Sequence, residues 1–408
     1  MRLHIFDNGF FSGLGHHFEY TTTIYDEWVR QGGDAFIYSS GQKEMEVSKK
    51  YKIIPLFKHG MHEIHSPIRL HPFLNGLLNL FAGNHFYWRD LKKLARQTFS
   101  NSDIVLIHTI NHSMLPAVYL WYRSLPKENS PVLVLLFRYN NAVYAPDKRY
   151  LLTHKIYKVM LDLFDKLAAY KKVIYAADTD ALAEEYEELT EKKVFVFPIP
   201  HTSKLLNGPL ARGSAADKIT IVYLGDARDE KGYYLIPDAI ELVLREALTM
   251  KLEFIIQSNT SDYSGKMTIM AKEKLKAFNG RVTMIDRSLG TAEYYNLLGG
   301  ADAVLIPYRA KDYYARSSGI FTEALAFGKS VIVPRNTWME RQLSQCQGGG
   351  VIFQDGDPRS LADAILEFLN NRSSIGERAR LCAVKWTNHH NPKNYVDTLL
   401  KSVHSSST

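Results

Sequence analysis

The stretch Arg316-Ser317-Ser318-Gly319-Ile320 is the part of this sequence best suited to hold an anion. It lies between two predicted strands, Ala303 to Ile306 and Val331 to Val333, so Ser318 and Gly319 are predicted to open a helix. The first N–H groups of a helix have no partner within it, and the helix dipole favours negative charge there. The backbone of Ser318, Gly319 and Ile320, together with the side chain of Arg316, is therefore a candidate phosphate site.

Glu323 lies about one turn further into the same predicted helix. Its carboxylate would repel a diphosphate but could accept hydrogen bonds from the hydroxyls of a ribose. Such bonds to a charged group are typically worth about 1.5–3 kcal/mol each. An equally favoured interpretation is that Ser318 only caps the helix and that Glu323 is a solvated helix residue.

A second candidate is the turn from Gly225 to Gly232, which follows the predicted strand Ile219 to Leu224. It carries Arg228 and Lys231, and two cations in a turn bounded by glycines can hold a diphosphate by charge. The alternative, slightly favoured on pattern alone, is a charged turn that only keeps the loop soluble.

The third candidate is a glycine-rich turn after the first strand, in which Gly13 and Gly15 would allow the backbone to approach a ligand closely. The turn does not match GxGxxG, so the fingerprint of a dinucleotide-binding fold is missing.

Two further candidates for catalysis follow predicted strands of the first half of the chain. His108 comes after the strand Asp103 to Ile107, and Arg138 comes after the strand Val132 to Phe137. We expect both side chains to reach a ligand cleft, where a histidine can move protons or bind a sugar. The alternative is that each only forms hydrogen bonds within its loop.

No metal site is predicted. Asp178-Thr179-Asp180 has the DxD spacing, but it begins a predicted helix and is better explained by capping; Asp355-Gly356-Asp357-Pro358 is explained in the same way. The two cysteines, Cys346 and Cys382, have no metal-ligand spacing. They also do not suggest a disulfide framework, so we expect a reducing compartment.

Length and composition indicate a globular protein of two domains. The chain has 408 residues, of which 46% are hydrophobic and 23% are charged, and a single core rarely grows to that size. The formal net charge of +7 suits an anionic ligand without identifying it. No nucleic-acid-binding module is recognisable.

Short apolar strands alternate with helical patterns through most of the chain, which predicts parallel sheets covered by helices. The alternation stops over residues 198–218, which are rich in Pro, Gly and Ser. We therefore predict an α/β fold with two doubly wound, Rossmann-like domains facing across a cleft. The expected bounds are residues 1–203, completed by a C-terminal helix over 387–408, and residues 215–386.

The sequence predicts a cytoplasmic protein. It contains no run of about 18 apolar residues, and its N-terminus leads directly into a strand. The segment from Pro72 to Trp88 has apolar residues at helical spacing, with aromatic residues near its end. An interfacial helix on the inner membrane face is one interpretation; a core or lid helix is the favoured one.

These motifs, in this order, resemble the retaining GT-B glycosyltransferases of family four, the glycosyl transferases group 1. The resemblance is strongest over residues 219–370 and is carried by the segments 225–232, 293–298, 301–307, 323–329 and 357–358. In the first domain it is limited to Gly13 to Gly15, His108 and Arg138. It implies that Glu323 binds the donor ribose, that Lys231 pairs with the diphosphate, and that the backbone at 318–320 and 13–15 holds the phosphates.

Two positions depart from the family pattern. Ala315 stands where the family usually has a second glutamate, eight residues before the position of Glu323. Asp226 stands where the family usually has arginine, and Arg228 is the residue that could replace it. Both changes affect the expected contacts with the donor.

The resulting hypothesis is a metal-independent glycosyltransferase with no cofactor other than its nucleotide-diphosphate-sugar donor. It would transfer the sugar with retention to a saccharide or lipid-linked acceptor, as in cell-surface polysaccharide synthesis. Two alternatives remain open: a catalytically inactive GT-B partner protein, and a GT-B sugar-nucleotide epimerase.

Overall fold

The computed structural model describes residues 1–10, 16–40, 50–60, 72–94, 99–141, 149–201, 218–260 and 264–405. The chain divides into two compact units. Unit 1 is Met1–Pro200 with Asn391–Thr408, and unit 2 is His201–His390.

Unit 1 is built on a sheet of seven strands in the order β3-β2-β1-β4-β5-β6-β7, and every adjacent pair is parallel. The strands are β1 (Arg2–Asp7), β2 (Asp34–Ser40), β3 (Ile53–Phe57), β4 (Ile104–Ile110), β5 (Val132–Phe137), β6 (Val173–Ala177) and β7 (Val194–Val196). The helices are α1 (His16–Arg30), α2 (Pro72–Leu91), α3 (Leu115–Ser124), α4 (Arg149–Leu167), α5 (Asp180–Glu187) and, from the C-terminus, α13 (Pro392–Ser405).

Unit 2 contains a second parallel sheet, with six strands in the order β10-β9-β8-β11-β12-β13. Its strands are β8 (Ile219–Tyr223), β9 (Leu252–Gln257), β10 (Val282–Ile285), β11 (Ala303–Leu305), β12 (Ser330–Pro334) and β13 (Gly350–Phe353). Its helices are α6 (Ile236–Glu246), α7 (Lys266–Leu275), α8 (Thr291–Gly300), α9 (Ala310–Tyr313), α10 (Gly319–Ala326), α11 (Trp338–Cys346) and α12 (Pro358–His389), the last with a kink at Asn371.

The predicted α/β class with two Rossmann-like domains is confirmed. The central strands are apolar throughout because both faces of each sheet are covered; the whole of β5, for example, is buried. Two strands were not predicted from the sequence. These are β3, which contains Pro55, and the three-residue β7, and both lie at the edges of the sheet, where such strands are tolerated.

In each sheet the crossovers leave in opposite directions from one pair of neighbouring strands. The pair is β1 and β4 in unit 1, and β8 and β11 in unit 2. Open α/β sheets bind ligands outside the carboxyl ends of the strands at this switch point. The residues that follow these four strands are therefore the first place to look for a site.

The pairing of the two cysteines was not expected from the sequence. Cys346, at the end of α11, and Cys382, in α12, form a disulfide with their Cα atoms 5.5 Å apart. Thirty-six residues separate them along the chain, and nothing in the local pattern shows that α11 ends against α12. Because the two cysteines are paired, they no longer support the expectation that the protein occupies a reducing compartment.

The helix α13 packs in unit 1 against α1. The ring of Tyr395 on α13 lies edge-on to Tyr20 on α1, with centroids 5.9 Å apart, and also contacts Phe197 at 5.2 Å. Tyr395 is fully buried, so the end of the chain contributes to the core of the first unit.

Candidate functional site

The segment after β8 in unit 2 places the ammonium group of Lys231 over the backbone of Gly225. Gly225 has a φ of +112°, and its N–H donates to Oε1 of Gln257 at 2.7 Å. A Cβ on Gly225 would lie 3.0 Å from Nζ of Lys231. The lysine side chain therefore folds back over the backbone at the carboxyl end of β8.

The same segment is held against the loop that follows β11. Gly232 has a φ of +65°, and a Cβ there would overlap the carbonyl oxygen of Pro307. The N–H of Arg309 donates to the carbonyl oxygen of Glu230 at 3.0 Å. The two loops at the switch point of unit 2 thus form one packed structure.

Nearby carboxylates neutralise only part of the positive charge on these two loops. Burial lowers the pKa of Lys231 to about 8, Arg228 beside it adds to the shift, and Asp226 and Glu230 oppose it. Arg228 pairs with Glu230 at 3.2 Å, but its buried Nε has no hydrogen-bond partner among the described residues. A buried N–H without an acceptor is costly, and an anionic ligand is one way to satisfy it.

The loop after β11 leads to the predicted helix start. Ser318 is the N-cap of α10, and its hydroxyl accepts from the N–H of Phe321 at 3.4 Å. Among the described residues, none accepts from the N–H groups of Gly319 and Ile320. Capping and anion binding are therefore compatible here, because the cap uses a different N–H.

Tyr308 connects this helix start to the cations. Its ring lies 5.9 Å from Nζ of Lys231. Burial raises the pKa of its hydroxyl well above the ordinary value, and the nearby side chain of Ser318 opposes that shift. Arg316 stacks over the ring of Tyr313 at 4.8 Å, and its charge also lowers the pKa of Lys231. The structure thus brings Arg228, Lys231, Arg316 and Ser318 to one edge of the sheet.

Glu323 is buried, with 8% of its surface exposed, so the interpretation as a solvated helix residue is wrong. Tyr294 of α8 donates a short hydrogen bond to its Oε2. Burial, and then the charge of Glu323, raises the pKa of Tyr294 well above its ordinary value, so the phenol remains a donor. Tyr294 lies in segment 293–298, one of those that carry the family resemblance, but the sequence did not connect it with Glu323.

The two positions that depart from the family pattern are packed into the same region. Ala315 is fully buried and offers no polar side chain. Asp226 accepts from Nδ2 of Asn259 at 2.8 Å, so part of its carboxylate is used to hold the neighbouring loop.

His108 does not lie where the sequence predicted. It is inside β4 rather than beyond it, and its side chain is fully buried. The ring packs edge-on against Tyr20 with centroids 4.6 Å apart, and burial lowers the pKa of His108 to about 3. The strand continues three residues further than its apolar run suggested, which takes His108 into the core.

Arg138 is held by an ion pair. Its Nε donates to Oδ2 of Asp178 at 3.0 Å, and its guanidinium stacks on Tyr20 at 4.6 Å. The carboxylate of Asp178 therefore pairs with Arg138. Thr179 caps α5 by accepting from the N–H of Leu182 at 3.1 Å, so the predicted capping by this segment is confirmed. Asp357 caps α12 in the same way, as predicted.

The switch point of unit 1 contains a cluster that sequence reasoning missed. Polar atoms of Asp7, His17 and His108 all lie within 4.8 Å of one another. Asp7 ends β1, and the histidine pair His16-His17 begins α1, so a carboxylate at a strand end followed by histidines was the available signal. The predicted phosphate ligands Gly13 and Gly15 lie outside the described residues.

Residues 218–371 match the model of a family described as glycosyl transferases group 1. This segment contains every candidate residue of unit 2. No curated protein matches the chain in sequence.

Solved structures match over almost the whole chain. Sucrose-phosphate synthase from Thermosynechococcus elongatus is similar with a TM-score of 0.68 at 13% identity, covering 99% of both chains. A glycosyltransferase from Rickettsia africae matches with a TM-score of 0.66 at 14% identity, over 100% of this chain and 98% of the other. HepE from Anabaena, solved with UDP and glucose, matches at 0.65 and 11% identity over 99% of both. At these identities the likeness establishes the fold, which is GT-B.

Proposed function

We propose that this protein is a glycosyltransferase that moves a sugar from a nucleotide-diphosphate donor to a saccharide or lipid-linked acceptor. The observation that carries the proposal is the arrangement in unit 2 of Lys231 and Arg228 beside the start of α10, with Glu323 buried one turn further in. The family match over residues 218–371 and the GT-B fold support it.

The donor binds with its diphosphate at the cations and at the N–H groups of Gly319 and Ile320. Glu323 accepts hydrogen bonds from the ribose, and Tyr294 holds one of its oxygens. Such a site satisfies Nε of Arg228, which is buried without a described partner. The same groups then stabilise negative charge on the nucleotide diphosphate as its bond to the sugar breaks.

Retention and independence of metal ions are part of the proposal. Retention rests on the resemblance of the sequence to retaining enzymes. Independence of metal ions rests on Arg228, Lys231 and the N-terminus of α10. Together they supply the positive charge at the diphosphate that a divalent ion supplies in metal-dependent enzymes.

Calorimetry on the full chain with UDP, GDP and ADP tests the donor site. We expect one of them to bind to the wild-type protein and Lys231→Ala to weaken that binding. A transfer assay with the matching sugar nucleotides follows, with product anomers assigned by NMR. Near-wild-type transfer by Lys231→Ala would show that Lys231 does not have this role.

An inactive partner protein is the second candidate, because Ala315 and Asp226 remove two contacts usual in the family. It predicts no binding of any of the three nucleotides. An epimerase would instead release a free nucleotide diphosphate and an epimer when no acceptor is present.

We also propose a cytoplasmic location with peripheral membrane contact through α2. On this helix Leu78 and Phe81 are 42% and 70% exposed. Of the helices described, none is long and apolar enough to cross a bilayer. Vesicle flotation with and without Phe81→Ser tests the contact.

A further inference from the structure

The disulfide of unit 2 joins two helices that both contact α10, the helix that Ser318 caps. Cys346 is the last residue of α11, and Cys382 lies in α12 beyond the kink at Asn371. The bond therefore fixes one end of α11 on α12. While it is intact, the two helices cannot shift independently of one another.

Both helices contact the side chain of Phe321 on α10. Phe321 is fully buried, and its N–H donates to the hydroxyl of Ser318. The centroid of its ring lies 5.7 Å from that of Trp338, the first residue of α11, and 6.2 Å from that of Trp386, one turn beyond Cys382 on α12. The two tryptophan rings are 6.3 Å apart. The start of α10 thus rests on an aromatic cluster built by the two helices that the disulfide joins.

A second contact joins α11 to the loop that precedes α10. The guanidinium of Arg341 on α11 donates to the carbonyl oxygen of Tyr314. Arg316 and Ser318 follow Tyr314 in the same loop. A shift of α11 relative to α12 would therefore displace both the loop and the start of the helix, which are the groups that we propose to bind the diphosphate.

The surroundings of the two sulfurs leave little room for a pair of thiols. A Cβ on Gly348 would lie 2.8 Å from Sγ of Cys346 and 3.2 Å from Sγ of Cys382, so the backbone packs directly against both atoms. Two sulfurs that are no longer bonded need more space than a bonded pair. Because protein interiors are close-packed and transmit such displacements, we expect reduction to move the end of α11 away from α12.

The bond is accessible from one side. Cys382 is fully buried, whereas Cys346 is partly exposed, between the exposed residues Gln345 and Gln347. Exchange requires access of a thiolate to a sulfur, and Sγ of Cys346 is the one that offers it. In the cytoplasmic location that we propose, disulfides are rare, and those that form are usually transient, catalytic or redox-sensing.

We propose that Cys346 and Cys382 form a reversible thiol–disulfide switch, and that the oxidised protein binds its nucleotide more tightly than the reduced protein. The inference rests on the proposed donor site in unit 2. A thiolate of a cellular dithiol attacks Sγ of Cys346, a mixed disulfide forms, and Cys382 leaves as a thiolate that takes up a proton. The second thiol of the reductant then closes its own disulfide and releases Cys346. Two electrons pass to the protein, and the dithiol is oxidised.

The size of the effect follows from the usual strength of coupling between two sites, which is about fivefold or more in affinity. We therefore expect the reduced protein to bind the nucleotide at least about fivefold more weakly. Because coupling is reciprocal, saturating nucleotide should make the disulfide harder to reduce by the same factor. For a two-electron couple, a fivefold change corresponds to about 20 mV.

The test uses the full chain, with UDP, GDP and ADP as probes. Calorimetry compares oxidised protein with protein kept in dithiothreitol, and circular dichroism at the same temperature shows whether both are folded. The fraction of reduced protein is then measured over a series of ratios of reduced to oxidised dithiothreitol, with and without the nucleotide that binds. We expect the nucleotide to shift the midpoint toward more reducing mixtures.

The double variant Cys346→Ser/Cys382→Ser is the matched control, because it has no bond to reduce. We expect it to bind the nucleotide as weakly as reduced wild type does and to show the same affinity with and without dithiothreitol. A variant that loses affinity in dithiothreitol as wild type does would place the effect of the reductant elsewhere and overturn the inference.

Equal affinities in the two redox states, or tighter binding by the reduced protein, would overturn the inference and leave the proposed function standing. So would a reduced protein that has lost its fold in the assay, or a reduction midpoint that the nucleotide does not shift. If neither redox state binds any of the three nucleotides, the proposed function fails and this inference fails with it.

Discussion

The phenol of Tyr294 donates a hydrogen bond to the carboxylate of Glu323, and the two residues come from different helices, 29 positions apart. The bond commits Oε2 of the buried carboxylate to the protein. A buried carboxylate that grips a ribose must be held in one orientation, and Tyr294 provides that restraint.

Tyr294→Phe should therefore weaken nucleotide binding. A hydrogen bond to a charged group is worth about 1.5–3 kcal/mol, so we expect a loss of affinity of about tenfold or more for whichever nucleotide diphosphate binds. Isothermal calorimetry measures it. Tyr295→Phe is the matched control, since the ring of Tyr295 packs on Phe327. Equal affinities in wild type and Tyr294→Phe would contradict the assigned role.

Nucleotide affinity should depend on pH through Lys231. Burial lowers its pKa to about 8. The side chain is therefore positively charged below that pH and loses its charge as the pH rises above it. A bound diphosphate favours the charged form, so affinity should be constant below about pH 8 and fall above it. Binding measured from pH 6.5 to 9.5 would show this trend.

Lys231→Arg should remove this pH dependence, because a guanidinium stays charged throughout the range. The exposed Lys311→Gln variant should keep it. If wild type and Lys231→Arg show the same decline above pH 8, another group is responsible.

Gly349→Ala should destabilise unit 2. Gly349 precedes β13, and a Cβ there would meet the backbone of α12 at Ile375 and Ala379. Overpacking of this kind typically costs about 1–3 kcal/mol, which urea titration followed by circular dichroism would detect. Gly300→Ala is the control, because nothing lies within 4 Å of its added Cβ. If Gly349→Ala has the same free energy of unfolding as wild type, Gly349 does not lie as close to the backbone of α12 as the structure shows.

Reduction should also destabilise unit 2, because the Cys346–Cys382 disulfide joins α11 to α12. Disulfides typically contribute about 2–4 kcal/mol by restricting the unfolded chain. We expect the urea midpoint to fall with reductant, and the double variant Cys346→Ser/Cys382→Ser to match the reduced protein. If a thiol reagent detects free thiols in denatured protein that has not been reduced, the disulfide does not form.

The sequence by itself determined the architecture. Strands and helices alternate with periods that depend on near neighbours. The sequence therefore predicted β5 to the residue, and β8, β11 and β12 to within one position at each end. It also located the Gly225 to Gly232 turn and the helix start at Ser318, because glycine and capping residues act locally. The cap at Ser318 is present; the roles in donor binding remain predictions.

Only the tertiary structure decided which side chains meet. The order of the strands brings Asp7 of β1 and His17 of α1 beside His108 of β4, the strand next to β1 in the sheet. The fold also takes His108 into the core and joins Tyr294 to Glu323 and Cys346 to Cys382. These contacts depend on packing between segments distant along the chain. Local periodicity does not encode that packing, because the same pattern of strands and helices is compatible with several strand orders.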